Sequence, residues 1–201
     1  MTTAELKKQI EQGEGAKVDF KREWYRKEEL KGEFVKDMFA LTNGDVHGVK
    51  ESSFLIIGID DDKNFFKFDD SSLPRSPEKR KQQLLNILNS YAQPEFTDLE
   101  VKWVDLTDEQ EVMVISVLPR GRLISLSKDL QLKNRTDKKG TVYYRAGEDI
   151  RVASADMVEE FRKAYEKEGS NGGQVNHTTH NYNNTTGTII SGNGSVVNIN
   201  N

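Results

Sequence analysis

The chain has 201 residues, the size of one domain or of one domain with an appendage. Its net charge of −4 and its lack of cysteine exclude a strongly basic protein, a disulfide framework and a cysteine-rich zinc site. The first residues lack the apolar stretch of a signal peptide, and no apolar run is long enough to cross a bilayer, so we expect a cytoplasmic protein without membrane contact.

The N-terminal segment predicts a short helix followed by a strand. Thr2 and Glu5 have the spacing of a capping box, and Gly13 is a suitable end for the helix that they open. Val18 and Phe20 then alternate with polar neighbours, which is typical of a half-buried strand. We expect the apolar pair to face a core and the intervening polar residues to share the exposed face.

The next segment predicts a helix and a buried strand. Apolar side chains recur at helical spacing from Leu30 to Leu41, which predicts a helix that ends near Asn43. Residues 54–59 form a continuous apolar run, which is typical of a central strand buried on both faces. The acidic residues 60–62 follow, where the chain must leave the core.

The second half predicts two more helices around several strands. Ser76 and Pro77 open the first of these helices as cap and first-turn residue, and it stops before Pro94. Ser154 caps the last helix. The strands are expected at residues 99–104, 112–118 and 141–145. This mixture of helices and strands predicts an α+β fold, with helices packed on a mixed β-sheet.

The composition changes sharply after Gly169. Residues 170–201 contain no Asp, Glu, Lys or Arg and are dominated by Asn, Thr, Gly and Ser. Two β-prone apolar pairs, at residues 189–190 and 196–197, interrupt this polar sequence. We therefore predict a folded domain over residues 1–168 and a low-complexity, β-prone tail over residues 169–201.

Two acids near the N-terminus are candidates for a chemical site. Glu14 and Asp19 are five residues apart, with glycine beside the first and the base Lys21 after the second. An acid and a base on a rigid strand could hold a metal ion or meet a phosphate. The alternative is a solvated strand face carrying a weak ion pair.

Three blocks of sequence point to a known family. They are residues 13–21, residues 40–44 with residues 55–61, and residues 143–147 with residues 153–154. In order and approximate spacing they resemble the Schlafen-type Alba-like domain (AlbA_2). The resemblance spans most of residues 5–165 and implies binding of RNA or DNA.

The resemblance also implies a catalytic centre. Some Schlafen members cleave structured RNA with three carboxylates and a divalent metal, Mg²⁺ or Mn²⁺. Carried over by position, the metal ligands would be Glu14, Asp19 and Asp60 or Asp61. With Lys21, the residues Glu14, Asp19 and Asp60 would form the catalytic set. The second acid is usually Glu, so Asp19 shortens the reach toward a metal by one methylene.

Basic residues near these blocks are candidates for phosphate contacts, because phosphate neutralisation dominates nucleic-acid affinity. The expected nucleic-acid-binding residues are Lys21, Arg22, Arg26, Lys27, Arg145 and Arg151.

The tail is similar to the short amyloid-forming signalling motifs of bacterial and fungal immune proteins. This resemblance implies self-association through residues 175–201 and a partner of NLR-like or STAND type that carries a matching motif. Stacked Asn ladders with dry apolar seams would supply the physical basis. A disordered polar tail and a small β-structured oligomerisation tail are the alternatives.

Together the two resemblances imply a nucleic-acid-binding effector of bacterial antiviral defence. Its activity would be metal-dependent hydrolysis of RNA, promoted by clustering through the tail. The alternative is a non-catalytic adaptor that binds nucleic acid or a nucleotide. Schlafen-like proteins are often described as ATP-binding, but the chain contains no phosphate-cradling glycine loop of the Walker type.

Overall fold

A four-stranded mixed sheet is the centre of the computed structural model. The chain divides into two compact units, Met1–Asn171 and Gly172–Asn201. The predicted division between residues 168 and 169 stays a prediction. The structure describes residues 2–25, 30–45, 52–66, 74–97, 99–107, 110–118, 122–171, 189–190 and 196–197.

The sheet contains β1 (Val18–Lys21), β2 (Ser53–Ile57), β4 (Leu99–Thr107) and β5 (Gln110–Val117). Their spatial order is β1-β2-β5-β4. The first pair is parallel and the other two pairs are antiparallel, so the mixed sheet of the predicted α+β fold is confirmed. Among the strands that the structure describes, β1 and β4 are therefore the two outer ones of this sheet.

Helices cover both faces of this sheet. The helix α1 (Thr3–Gln12) packs on one face, together with apolar side chains of β1, β2 and β5. The helices α2 (Lys31–Asn43) and α3 (Pro77–Asn89) pack on the other face and contribute to the larger core. The last helix of this unit is α4 (Ala155–Asn171). No helix in the described parts of the chain combines the length and the apolar character needed to cross a bilayer.

Short antiparallel strand pairs accompany the main sheet. One pair is formed by Ala92–Gln93 (β3) and Ser125–Leu126 (β6), which lie on either side of β4 and β5 in the chain. The next two pairs are hairpins, formed by Leu130–Gln131 (β7) with Thr136–Asp137 (β8) and by Tyr143–Ala146 (β9) with Asp149–Val152 (β10). In the second unit, β11 (Ile189–Ile190) pairs antiparallel with β12 (Val196–Val197).

The predicted helix caps are confirmed. Thr2 accepts from the backbone of Glu5 in a complete capping box, and Gly13 ends α1 at a φ of 87°. Ser76 and Ser154 accept backbone N–H groups at the starts of α3 and α4. Each cap satisfies donors that the first turn of a helix leaves unpaired.

The buried apolar run forms a central strand, but a shorter one than predicted. Leu55, Ile56 and Ile57 are fully buried in β2. The strand then ends because Gly58 adopts a φ of 109°, a conformation that side chains disfavour, and Ile59 forms an isolated bridge to Phe65.

Two close contacts attach α2 to the hairpins beside it. Asn43 is fully buried; its side chain donates to the carbonyls of Ile124 and Tyr143 and accepts from the N–H of Ile124. At the other end of α2, a Cβ on Gly32 would lie 2.0 Å from the carbonyl oxygen of Gln131, so this contact requires glycine. Both ends of α2 are thereby fixed against the segments that carry β7 to β9.

Candidate nucleic-acid interface

The glycine-rich segment before β1 folds back along the outer edge of that strand. The Glu14 carboxylate accepts the backbone N–H of Phe20, and the N–H of Gly15 donates to the Val18 carbonyl at 3.0 Å. The Lys21 ammonium donates to the Phe20 carbonyl at 3.1 Å. These bonds occupy backbone groups that an edge strand would otherwise offer to another chain.

Asp19 forms the centre of a buried charge cluster. Its Oδ1 accepts a hydrogen bond from Nη1 of Arg145 at 2.7 Å, and its Oδ2 forms an ion pair with the Lys21 ammonium. Arg145, which lies on β9 and is fully buried, also donates to the carbonyl of Gly15 at 2.9 Å. A buried carboxylate needs such partners, because its desolvation is costly without them.

Lys21 extends the cluster from β1 to α2. Its ammonium lies 3.9 Å from Oδ2 of Asp37, which also accepts the Tyr25 hydroxyl at 2.5 Å. Burial alone would lower the pKa of Lys21, but the charges of Asp19 and Asp37 outweigh burial and raise it. The Lys21 side chain is therefore held in its protonated, positively charged form. Burial raises the pKa of Asp37, while Lys21 and Lys36 partly oppose that rise.

The cluster continues along α2 to the β7–β8 hairpin. The Lys36 ammonium lies 3.6 Å from Oδ1 of Asp37 and pairs with Glu33 at 2.5 Å. Glu33 in turn accepts the backbone N–H of Lys133 at 3.2 Å, and Arg135 binds the carboxylate of Asp137 in the same hairpin. We call Lys21, Lys36, Lys133 and Arg135 the cationic strip.

Across the strip the cations are more exposed than the buried aspartates that hold them. The side chain of Lys21 is 32% exposed and that of Asp19 is 6% exposed. The Lys36 side chain is 22% exposed against 6% for its buried aspartate partner. At the hairpin, Arg135 is 59% exposed and Asp137 is 13% exposed. The aspartates are thus less exposed than the cations that they pair with, whereas Lys36 and Glu33 are about equally exposed, at 22% and 23%.

The structure brings some of the predicted catalytic residues together. Glu14, Asp19 and Lys21 interact, and the charge of Asp61 also acts on Glu14. The Asp60 carboxylate instead binds within the turn that follows it, where it accepts the backbone N–H of Asn64 at 2.8 Å. The expectation that Asp19 and Lys21 share a solvated face is wrong, because α2 and Arg145 cover that face of β1.

The carboxylates as they stand do not fit a resident metal ion. The parts of the chain that the structure describes, which include Glu14, Asp19, Asp60 and Asp61, contain no group of three or more His, Asp or Glu side chains placed to hold a metal. Both oxygens of Asp19 face cationic side chains. The geometry of these side chains therefore gives no support to a site for Mg²⁺ or Mn²⁺, and such a site stays a prediction.

The predicted phosphate-binding residues have different environments. Arg22 is exposed and its guanidinium stacks over the Phe66 ring at 4.1 Å. Arg151 is exposed and pairs with Asp149 on β10 at 3.3 Å. The assignment of Arg145 to nucleic-acid contact is corrected, since this residue is fully buried and bound to Asp19. Arg26 and Lys27 lie outside the described residues.

Several members of the cluster were not predicted from the sequence. Asp37 falls on the apolar stripe of α2, seven residues after Leu30 and three after Phe34. A charged residue at such a position signals a buried ion pair, because an isolated charge is rarely left in a core. Lys133 and Arg135 belong to a basic run that is visible in the sequence, but its proximity to Glu33 depends on the fold.

Comparison with known proteins identifies one relationship. The sequence model of the family described as Schlafen, AlbA_2 matches residues 14–154. No curated protein matches the chain. The matched range begins at Glu14 and includes every member of the cationic strip.

The Glu14 carboxyl gives the cluster a defined pH dependence. Burial raises the pKa of Glu14 above its ordinary value of 4.5, the Phe20 N–H opposes the rise, and the charge of Asp19 adds to it. The folded chain therefore binds this proton more tightly than the unfolded chain does, so stability falls as the pH rises above 4.5 and through the folded pKa. We expect Glu14→Gln to remove this part of the pH dependence.

Urea unfolding from about pH 4 to about pH 7 measures this dependence. Glu11→Gln, on the exposed side of α1, is the matched control and should keep the wild-type profile. An unchanged profile for Glu14→Gln would contradict the assignment.

Proposed function

The chain belongs to the Schlafen AlbA_2 family, and from this premise we propose that it binds nucleic acid through the phosphates, along the cationic strip. Membership of the family suggests nucleic-acid binding. The strip supplies what phosphate binding needs, which is several cationic side chains that are at least partly exposed and are connected through shared acids.

The observation that carries the proposal is that Asp19, Asp37 and Asp137 are less exposed than the cations that pair with them. Asp19 and Asp37 are buried and hold Lys21 in place from two sides. Positioning of this kind reduces the side-chain entropy that a long cation would lose when it contacts a phosphate. Lys133 adds a fourth cation: its backbone N–H binds Glu33, and its ammonium has no ion pair with the residues that the structure describes.

The net charge of −4 does not oppose this proposal. Exposed charges more than about 10 Å apart are largely screened at 0.1 M salt, so local charge decides the contact. The β7–β8 hairpin and its flanks present Lys133, Arg135, Lys138 and Lys139 as exposed side chains. The acids near them are Glu33, Asp129 and Asp137, one fewer than the cations.

We expect the double variant Lys133→Gln/Arg135→Gln to bind a labelled RNA duplex more weakly than the wild type. Each lost phosphate contact should reduce the slope of log K against log salt by about 0.9 on duplex DNA, and by a comparable amount on duplex RNA. Fluorescence anisotropy with RNA and with DNA of the same sequence, at several salt concentrations, measures both quantities.

The matched control is Lys7→Gln/Lys8→Gln, which removes two exposed charges from α1 on the opposite face of the sheet. This control should retain wild-type affinity apart from a small general effect of charge. Equal losses in the two double variants would show that binding does not use the strip. Affinity that is independent of salt would contradict phosphate binding altogether.

Hydrolysis of RNA is the second candidate function, and Glu14 is the group that favours it. Its carboxyl is half-buried, has a raised pKa and lies within the electrostatic influence of Asp19 and Asp61. Raised pKa values in partly buried acids are frequent at sites of proton transfer. We propose that any cleavage of structured RNA in Mg²⁺ or Mn²⁺ depends on this carboxyl.

Cleavage should then fall by at least about a hundredfold in Glu14→Gln and stay unchanged in Glu11→Gln. Gel analysis of structured RNA incubated with each protein and Mn²⁺ makes the comparison. If the RNA remains intact with the wild type, hydrolysis is contradicted and the alternative of a non-catalytic binding module stands. Cleavage at equal rates in both variants would place the activity elsewhere or in a contaminant.

The tail supports a separate proposal of self-assembly through residues 175–201. Its two apolar pairs occupy the short strands β11 and β12, in a mostly polar, uncharged segment. We expect a peptide of residues 170–201 to form fibres that bind thioflavin T, and the same peptide with Ile190→Lys to remain soluble, because a charge interrupts a dry seam. A wild-type peptide that stays monomeric for days would contradict amyloid assembly. Recruitment by an NLR-like or STAND-type partner would require such assembly.

A further inference from the structure

A cavity of about 540 Å³ lies between the helix α4 and the chain around β3 and β6. Gln93 of β3, Ser125 of β6 and Val158 of α4 line it, and we call it the α4 pocket. Its volume is typical of small-molecule sites, which range from about 300 to about 1,000 Å³. No residue of the cationic strip lines the α4 pocket, and its α4 wall lies beyond residue 154, where the family match ends.

One wall of the α4 pocket is a single face of α4. Val158, Arg162 and Glu166 line the pocket at intervals of four residues, which places them on the same side of a helix. The neighbouring face attaches the helix to the domain. Phe161 is fully buried, and its ring contacts that of Tyr144 on β9 with the centroids 5.9 Å apart. Packing therefore fixes the wall that these three side chains form.

Two guanidinium groups line the pocket, one from each wall. Arg122, which precedes β6, is exposed and forms no ion pair with another residue that the structure describes. The Arg162 side chain is 67% exposed, and it pairs with Glu159, itself 54% exposed, at 3.7 Å. Exposed pairs of this kind contribute little, so Arg162 can exchange its partner for the anionic group of a ligand.

The rest of the lining suits a flat organic molecule. Leu123, Val142 and Val158 supply apolar surface, and Gln93 supplies an amide that can donate and accept hydrogen bonds. Nucleobases combine apolar faces with polar edges, so apolar side chains beside an amide match them. Glu166 is the one carboxylate among the lining residues, and a carboxylate accepts hydrogen bonds from ribose hydroxyls in other nucleotide sites.

We propose that the α4 pocket binds a nucleoside monophosphate, either as a free molecule or as the phosphorylated end of an RNA strand. A phosphate monoester carries a charge of about −1.5 to −2 near pH 7, which the guanidinium groups of Arg122 and Arg162 match. A phosphodiester within a strand carries only a single charge. Glu166 repels phosphate, so the phosphate lies at the arginines and the sugar at the carboxylate. This site is separate from phosphate binding along the cationic strip and does not depend on it.

Isothermal titration calorimetry of the full chain with each of the four ribonucleoside monophosphates tests the proposal. We expect at least one of them to bind. The corresponding nucleoside, which lacks the phosphate, should bind at least about tenfold more weakly, because it loses the charge-assisted hydrogen bonds to the arginines. Inorganic phosphate should also bind at least about tenfold more weakly, because it lacks the base that the apolar side chains cover.

Arg122→Gln and Arg162→Gln should each weaken binding of the nucleotide at least about tenfold. Lys163→Gln is the matched control, since it removes one exposed charge from the adjacent position of α4, which does not line the pocket. Its affinity should stay within about twofold of the wild type, because an exposed charge away from the ligand is largely screened. Circular dichroism verifies that all three variants are folded, as expected for exposed substitutions.

Two RNA strands of one sequence, with and without a terminal phosphate, distinguish the two sources of the ligand. Tighter binding of the phosphorylated strand, lost in Arg162→Gln, would place a strand end in the α4 pocket. Equal affinities for the two strands would assign the pocket to the free nucleotide. The proposal is overturned if none of the four nucleotides binds, or if the nucleoside or inorganic phosphate binds as tightly as the nucleotide. Arginine variants that bind as well as Lys163→Gln would also overturn it.

Discussion

The buried ion pair between Asp19 and Arg145 is the interaction on which the arrangement of the charged cluster depends. It joins β1 to β9 between residues that are 126 positions apart in sequence. Arg145 also binds the carbonyl of Gly15, so the same guanidinium holds the segment that closes the β1 edge. Loss of one partner would leave a buried charge unpaired, which typically costs about 3–5 kcal/mol.

The same ion pair explains how a chain with a negative net charge can carry the cationic strip. Asp19 is neutralised from inside by Arg145 and from outside by Lys21, and Asp37 holds Lys21 from a second element. Buried acids that are shared among cations reduce the negative field at the surface, while the ammonium groups remain partly exposed. The proposed phosphate binding needs no resident metal, whereas a metal at Asp19 would have to compete with two cations already in place.

Much of the fold could be predicted from the sequence because its signals are local. Helix caps at Thr2, Ser76 and Ser154, the apolar stripe of α2 and the apolar run of β2 depend on neighbours in the chain. The two-residue strands β3, β6, β7 and β8 could not be predicted, since tertiary pairing rather than alternation defines them. Arg145 was misassigned for a related reason: a single basic residue on a strand indicates a surface position until its distant carboxylate is known.

A double-mutant cycle on Asp19 and Arg145 tests the central claim most directly. Urea unfolding of Asp19→Asn, Arg145→Met and the combined variant gives the free energy of coupling between the two side chains. The account predicts that each single change destabilises strongly and that the combined change costs less than the sum of the two, by more than about 1.5 kcal/mol. Effects that add to within about 0.5 kcal/mol would contradict it.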